Sequence, residues 1–376
     1  MTDADQDVFD VAVIGAGPMG SFAAERMARA GLRVGLFEKD ARPGDSTVCA
    51  GGMHHQLVQF LNLPASLIEK TLPIFRVEIN GRRTEWRFDT PTYQTIERRN
   101  LDRYLADRAV EEGATLVTQA RVTSVAPADG TLVYELGPER SRQRATARVF
   151  VFADGPNSLA HRLLADSAGK PRGPVYVGLE YDLEATSNQF EALEIIPDPK
   201  TLPFGYTWVF PKRHSLNVGL ARLSTVDGPP LEGLLDRFLD ARPDLRGRAI
   251  LTRKGGVIPT TLGPVLQKDN CLVIGDAAGM INPLTGGGYV CGFVSATLAA
   301  EACIEAFAGG RFDVTKLRSY SRRLRRTKHY LTIKVFGVIL SRMASLHRVF
   351  RTPLYLPFLT LYFRTVHVSM RFLRVI

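Results

Sequence analysis

Two glycine-bearing turns in this sequence have residue types and spacing suited to holding an anion. In the first, an apolar run over 8–14 leads into Gly15-Ala16-Gly17-Pro18-Met19-Gly20, then a helical stretch over 21–30, then an apolar run over 34–37 that ends on Glu38. Gly15 permits the tight turn, Gly17 lets a pyrophosphate approach bare backbone, Gly20 lets helix and strand pack closely, and Glu38 stands where an acid meets the ribose hydroxyls of an adenosine. Strand, loop, helix, strand and acid in that order predict a dinucleotide site and leave NAD and FAD both open. In the second turn, a strand over 271–274 runs into Gly275-Asp276-Ala277-Ala278-Gly279, then Asn282-Pro283, then Gly286-Gly287-Gly288 at the start of a small-residue helix over 289–307. Backbone N–H groups at a helix start, unshielded by side chains, come close to a phosphate or a negatively polarised ring.

Other residues carry chemistry less plainly. Cys49 lies in Gly44-Asp45-Ser46-Thr47-Val48-Cys49-Ala50-Gly51-Gly52-Met53, whose composition predicts a loop, and loops carry function more often than cores do. It reads either as a thiol on the substrate side of a cofactor or as a small packed residue. A helix is expected over 96–109, and Arg98 in its opening stretch would pair with a phosphate or be solvated. His54 and His55 have no acidic or cysteine partner in sequence and read as packing or surface residues. Only four cysteines occur, with no Cys-x-x-Cys and no nearby histidine cluster, so neither disulfides nor a metal site is expected.

These residues need a scaffold, and the hydrophobic patterning supplies one. Alternation over 75–79 and 84–88 around Asn80-Gly81 predicts a hairpin, as does 122–126 with 131–136 around Asp129-Gly130. A buried strand over 148–152 ends in Ala153-Asp154-Gly155. Strands follow over 175–183, 194–196, 206–210 and 216–221, then a helix over 231–239. The expected architecture is α/β plus α+β: a Rossmann-like, discontinuous nucleotide-binding domain (1–165 and 255–310) and an inserted antiparallel-sheet substrate domain (166–254, with the 75–95 hairpin). A C-terminal helical segment (311–376) completes it.

Taken together, Gly15-x-Gly17-x-x-Gly20 with Glu38, Arg98-x-x-Leu101-Asp102, Ala153-Asp154-Gly155 and Gly275-Asp276-Ala277-Ala278-Gly279 resemble the FAD domain of the aromatic-hydroxylase type of flavoprotein. Cys49-Ala50-Gly51-Gly52, Tyr206-x-Trp208-x-Phe210-Pro211-Lys212, and Pro283 with Gly286-Gly287-Gly288 are similar to the geranylgeranyl reductase family. The resemblance covers roughly residues 8–310. Flavin halogenases of the broader fold carry Trp-x-Trp-x-Ile-Pro, which is absent here. Ala50 stands where many relatives have glycine, and Leu101 replaces a common phenylalanine.

The resemblance implies FAD, with pyrophosphate on the Gly15 to Gly20 turn, ribose on Glu38 and adenine against backbone near Val122. Arg98 and Asp276 would meet the pyrophosphate and ribityl region, and Gly286, Gly287 and Gly288 the isoalloxazine. It also implies saturation of isolated double bonds in a polyprenyl chain. Tyr206 and Trp208 would wall the cavity and steady positive charge through their π faces, although both also suit a cross-strand aromatic pair. Cys49 would deliver the proton, Gly51, Gly52 and Phe210 would contact substrate, and Lys212 would meet a phosphate headgroup. NADPH, ferredoxin or a quinol remain as electron donors. A monooxygenase of the same fold, acting on an aromatic or polyketide substrate, is the main rival. A non-catalytic lipid-binding flavoprotein is the other.

The charge distribution bears on location. Residues 316–376 hold fourteen Lys or Arg and no Asp or Glu, so setting those aside turns the net +10 into −4 over residues 1–315. A basic cluster over 322–328 is followed by apolar residues over 331–340 and later by an apolar, uncharged run over 352–363. That run is shorter than the ~20 residues of a spanning helix and suggests docking on a membrane surface rather than on nucleic acid, the alternative being a helical cap whose apolar face packs on the domain and whose arginines are solvated. With an acidic N-terminus unlike a signal peptide, the expected location is cytoplasmic, at the inner face of the membrane.

Overall fold

The computed structural model describes residues 7–79, 81–164, 173–185 and 189–350. Asn80 of the first hairpin turn and the 352–363 run lie outside those residues. The chain divides into two units of interleaved segments: Met1–Thr47, Arg99–Gly173 and Pro259–Gly337 in the first, and Val48–Arg98, Pro174–Ile258 and Val338–Ile376 in the second.

The first unit is built on a sheet in the order Gln267–Lys268, Cys271–Val273, Ser141–Phe152, Asp7–Ile14, Val34–Phe37, Thr115–Val117. All of these pair in parallel except the first, which is antiparallel to its neighbour. Leu36, Val13, Val151 and Leu272 stand in register across four adjacent strands, each fully buried. Continuous apolar runs of this kind are what a parallel sheet covered on both faces requires. Helix Pro18–Arg29 packs on helix Tyr289–Phe307, with the Phe22 ring edge-on to Phe293 at 5.2 Å. Gly292 leaves the notch that Met19 fills, since a Cβ there would overlap the methionine side chain. Among the described residues Tyr289–Gly310 alone is long and apolar enough to cross a membrane, but 67% of its apolar window is buried inside the protein, which marks a core helix.

The second unit centres on a seven-stranded sheet in the order Ile250–Pro259, Val175–Glu184, Ser215–Leu223, Gly205–Pro211, Ala192–Ile196, Ile74–Ile79, Arg82–Arg87. One face is an apolar core: Tyr181, Leu183, Val209, Leu216, Val218 and Leu220 pack with Leu234, Leu235 and Leu239 of helix Leu231–Ala241. A smaller antiparallel sheet joins Gly52–His54, Tyr93–Ile96 and Ile68–Leu72.

Several expectations are corrected. The chain enters the second unit at Val48, so residues 48–98 belong there as a whole and not merely as a hairpin. It leaves that unit at Pro259 instead of 255, and residues 311–337 belong to the first unit rather than to a separate segment. The inserted sheet is not purely antiparallel, because Ala192–Ile196 pairs in parallel with Ile74–Ile79. The helix expected from 96 begins at Arg98, since Tyr93–Ile96 is a fully buried central strand. The loop around Cys49 ends at Gly51, and Gly52 opens a strand.

Candidate functional site

In the first unit the glycine turns have the geometry of a nucleotide cradle. Gly15 has φ +102°, and a Cβ there would lie 2.6 Å from the Ala153 carbonyl oxygen; one on Gly20 would overlap the Gly15 carbonyl oxygen. Gly17 directly precedes Pro18 at the first helical position. Glu38 is buried: its Oε2 accepts the Ala16 N–H at 2.9 Å and its Oε1 the Asp40 N–H at 2.9 Å. Burial raises the Glu38 pKa, against the opposing pull of those amides. The acid at the end of the second strand thus ties down the glycine turn. Asp154 is half-buried; its Oδ2 accepts the Leu159 N–H at 2.6 Å, while its buried Oδ1 has no hydrogen-bond partner among the described residues.

The second turn is equally constrained. Asp276 lies in the short helical turn Gly275–Ala278, between Gly275 and Gly279, both of positive φ. The following loop closes on itself: Asn282 N–H donates to the Gly287 carbonyl at 3.0 Å, and Gly286 N–H donates to the Asn282 carbonyl at 2.9 Å. Gly286 has φ +67°. A Cβ on Gly287 would be 3.2 Å from Thr285 Oγ1, and one on Gly288 would be 3.1 Å from Asp276 Oδ1. Gly288 is the N-cap of the Tyr289–Phe307 helix. Val122 sits mid-strand opposite Tyr134. Arg98 opens helix Arg98–Glu111 and is the last residue of the second unit's first segment.

The second unit gathers most of the other expected residues on one sheet face, opposite the apolar core. Tyr206 and Trp208 lie on this face of Gly205–Pro211, ring centroids 6.0 Å apart. The indole N–H of Trp208 donates to Asn217 Oδ1 at 2.7 Å, and Asn217 Nδ2 donates to Asp182 Oδ1 at 3.0 Å. The Cys49 loop folds over the same face. Cys49 N–H donates to Glu180 Oε1 at 3.1 Å, and a Cβ on Gly52 would be 2.6 Å from the Phe210 ring. Gly51, at φ +80°, presses on the Ile96 carbonyl, where any Cβ would overlap. Thus Gly51 and Gly52 are glycines for close packing of the loop. His54 and His55 take structural roles: His54 Nδ1 accepts the Gln56 N–H, and His55 Nδ1 meets the Gln94 amide oxygen.

Lys212 requires a correction. Its side chain is 3% exposed, and Nζ lies 2.8 Å from a Glu97 carboxylate oxygen and 3.7 Å from Asp182. A buried ammonium so paired is an internal ion pair rather than a headgroup contact. Burial works against its charge, but Glu97 and Asp182 outweigh that and raise its pKa. Asp182, also near Lys254 at 3.8 Å and hydrogen-bonded by Thr252 at 2.6 Å, is held below the ordinary carboxylate range despite its burial.

Sequence reasoning missed Glu180, Asp182, Asn217 and Glu97. The available signal was the alternation in Val175–Glu184, which puts Gly178, Glu180 and Asp182 on the face opposite Tyr181 and Leu183; it reads as an ordinary solvated face. Of the four cysteines, Cys271, Cys291 and Cys303 are buried, and burial pushes each thiol up to about 12. That makes them poor proton donors at neutral pH, leaving Cys49, which is half-buried. Among the described residues no cluster of three or more His, Cys, Asp or Glu is arranged to hold a metal ion.

Comparison with known proteins bears on this arrangement. A model of the lycopene cyclase protein family matches residues 10–357. The chain is 31% identical to digeranylgeranylglycerophospholipid reductase 2 of Methanothermobacter thermautotrophicus, over 85% of this chain and 83% of that protein. It is 30% identical to digeranylgeranylglycerophospholipid reductase 1 of Methanopyrus kandleri, over 84% and 85%. The crystal structure of a geranylgeranyl bacteriochlorophyll reductase-like protein from Thermoplasma acidophilum superposes with a TM-score of 0.79 at 23% identity, covering 90% of this chain and 88% of that one. A flavin-dependent brominase shares the fold with a TM-score of 0.72 at 17% identity, over 91% and 90%.

Proposed function

Since the chain belongs to the geranylgeranyl reductase family of FAD-dependent oxidoreductases, we propose that it saturates isolated double bonds in the prenyl chains of a digeranylgeranylglycerophospholipid. The observation that carries this reading is the second unit's sheet face, where Tyr206, Trp208 and Phe210 are overlaid by the Cys49 loop. An unactivated trisubstituted alkene offers no carbonyl to polarise. Its reduction needs aromatic surface to steady positive charge, and an acid within reach.

The first unit fits FAD. Gly15 and Gly20 are positions where only glycine holds the turn closed, Glu38 fixes that turn by its Ala16 contact, and Asp154 Oδ1 is a buried acceptor with no hydrogen-bond partner among the described residues. In this reading Gly15, Gly17 and Gly20 cradle the pyrophosphate, Glu38 the ribose, Val122 backbone the adenine, Arg98 and Asp276 the ribityl region, and Gly286 to Gly288 the ring. When bound, reduced FAD supplies the hydride. The chain's own contribution is to place the alkene against Tyr206 and Trp208, to exclude water, and to hold the second hydrogen as a proton on Cys49 Sγ. Electrons come from an external donor, NADPH, ferredoxin or a quinol.

The test is to incubate the dithionite-reduced protein with digeranylgeranylglycerophospholipid without oxygen and to weigh the products by mass spectrometry. Addition of two hydrogens per bond is expected. A product that gains one oxygen atom in air, with no change anaerobically, would reassign the protein as a monooxygenase.

A peripheral position at the inner face of the cytoplasmic membrane is supported by helix Lys328–Phe350. Leu331, Val335, Val338 and Leu346 on this helix are each about half exposed, at 49%, 53%, 57% and 47%, and Lys334 and Arg342 are exposed on the same helix. A stripe of apolar residues flanked by cations is suited to an anionic lipid surface. Val335→Glu with Val338→Glu is expected to reduce co-sedimentation with anionic vesicles at least about tenfold, from the lost apolar burial and the added charge repulsion. Undiminished sedimentation would rule out this helix as the docking element.

A further inference from the structure

Glu180 and Asp182 lie two residues apart on one strand face, yet their surroundings differ sharply. Asp182 is held as a carboxylate by four groups: Lys212 at 3.7 Å, Lys254 at 3.8 Å, Thr252 Oγ1 at 2.6 Å and Asn217 Nδ2 at 3.0 Å. Glu180 is more deeply buried, at 3% exposed, and accepts one hydrogen bond, from the Cys49 amide. Two adjacent carboxyls whose environments drive them apart are the usual mark of an acid beside a permanent anion.

Register places Glu180 in the reaction row. Glu180 is directly opposite Gly219, and Gly219 directly opposite Trp208. Any Cβ at Gly219 would overlap the indole, so the ring spreads over this glycine between its own strand and that of Glu180. The strand that bears the acid and the strand that bears the aromatic wall are thus joined on one face by a side chain that cannot be larger than hydrogen.

We propose that Glu180 is the internal proton store of this reductase: its carboxyl, held beneath the Cys49 loop, returns to Cys49 Sγ the proton that the thiol has given to the alkene. This rests on the assignment of Cys49 as the proton-delivering residue. In the first transfer the S–H bond breaks as a C–H bond forms, leaving a thiolate. In the second the Glu180 O–H bond breaks and the S–H bond is restored, and the carboxylate then takes a proton from solvent. Burial, with Asp182 alongside, pushes the Glu180 pKa up to about 7, and Lys212 and Lys254 only partly oppose it. The charged and titratable groups around it are therefore Asp182 on its own strand, Lys254 on Ile250–Pro259, Lys212 beyond Gly205–Pro211, Glu97 that pairs with Lys212, and Cys49 itself. Lys212 also feels the Cys49 side chain, which places the thiol within electrostatic reach of the same cluster.

The holoenzyme tests this with three variants. Glu180→Gln, nearly isosteric, is expected to reduce one bond per active site in a burst at close to the wild-type rate and then to turn over about a hundredfold more slowly. The wild-type steady-state rate should fall as pH rises through about 7, where the store empties; Glu180→Gln should lack that limb, and Glu180→Asp should keep it at a reduced rate. Flavin-free protein should show an infrared carboxylic-acid band that disappears through the same pH range and is absent in Glu180→Gln. Wild-type steady-state turnover in Glu180→Gln, an unchanged pH limb, or loss of the burst along with the steady state would each overturn the proposal. Cys49→Ala is measured alongside. If Cys49→Ala turns over normally, the Cys49 assignment falls and the store with it. If Cys49→Ala is inactive while Glu180→Gln is normal, the store alone falls.

Discussion

Trp208→Ala is expected to retain its flavin and to lose prenyl turnover by at least about a hundredfold, the scale on which misplacing a substrate by an ångström acts. The indole is nearly buried, donates to Asn217 at 2.7 Å and fills the space over Gly219. Its removal leaves a cavity on the substrate face, takes the donor from Asn217, and loosens the Asn217 contact that helps to hold Asp182. Truncating a buried tryptophan costs about 3–5 kcal/mol, so urea unfolding should register the change together with activity. Trp208→Phe separates these effects: it keeps an aromatic face but leaves Asn217 Oδ1 unpaired, at about 1–3 kcal/mol. Nearly all the residues assigned to the flavin lie in the other unit, and flavin absorbance per protein should therefore stay at the wild-type value in both variants. Wild-type turnover in Trp208→Ala would remove the aromatic wall from the reaction.

Gly20→Val is expected to give colourless protein. The Gly20 backbone touches the Gly15 carbonyl, and Gly15 in turn is pressed on Ala153. A valine must push the Pro18–Arg29 helix off the end of the first strand, moving the Ala16 amide that Glu38 holds. Strain of this kind costs about 1–3 kcal/mol locally; added to loss of the pyrophosphate contacts, it should lower flavin affinity at least about a hundredfold. Equilibrium dialysis against FAD measures it. A purified variant that remains fully yellow would show that the flavin is held elsewhere.

The nucleotide elements were legible because chemistry and local structure demand the same residues there. A glycine that must let a pyrophosphate approach also permits a tight turn, and the small-residue run over Tyr289–Phe307 is at once a helix pattern and a surface for close packing. The second unit was less legible. No element was expected over Ile250–Pro259, where Arg253-Lys254-Gly255-Gly256 interrupts the apolar pattern; it is a strand, whose Gly256 allows the approach of Val48 and whose Gly255 approaches Gly178. The three-stranded sheet was hidden because its strands are short and separated in sequence. Glu180 was hidden for a different reason. Alternation assigns a residue to a sheet face, but whether that face meets water depends on the Cys49 loop, more than a hundred residues earlier in the chain.

Parallel pairing of Ile74–Ile79 with Ala192–Ile196 also bears on how the chain is made. During synthesis at roughly 5–20 residues per second, Ile74 emerges about 6–24 s before its partner at Ala192. Through that interval Ile74, Phe75 and Val77 lack the strand that buries them in the finished protein. The hairpin is therefore an open edge on every nascent chain, a template for the wrong partner. Rapid translation of this middle segment, or a chaperone that holds the edge, should raise the soluble yield.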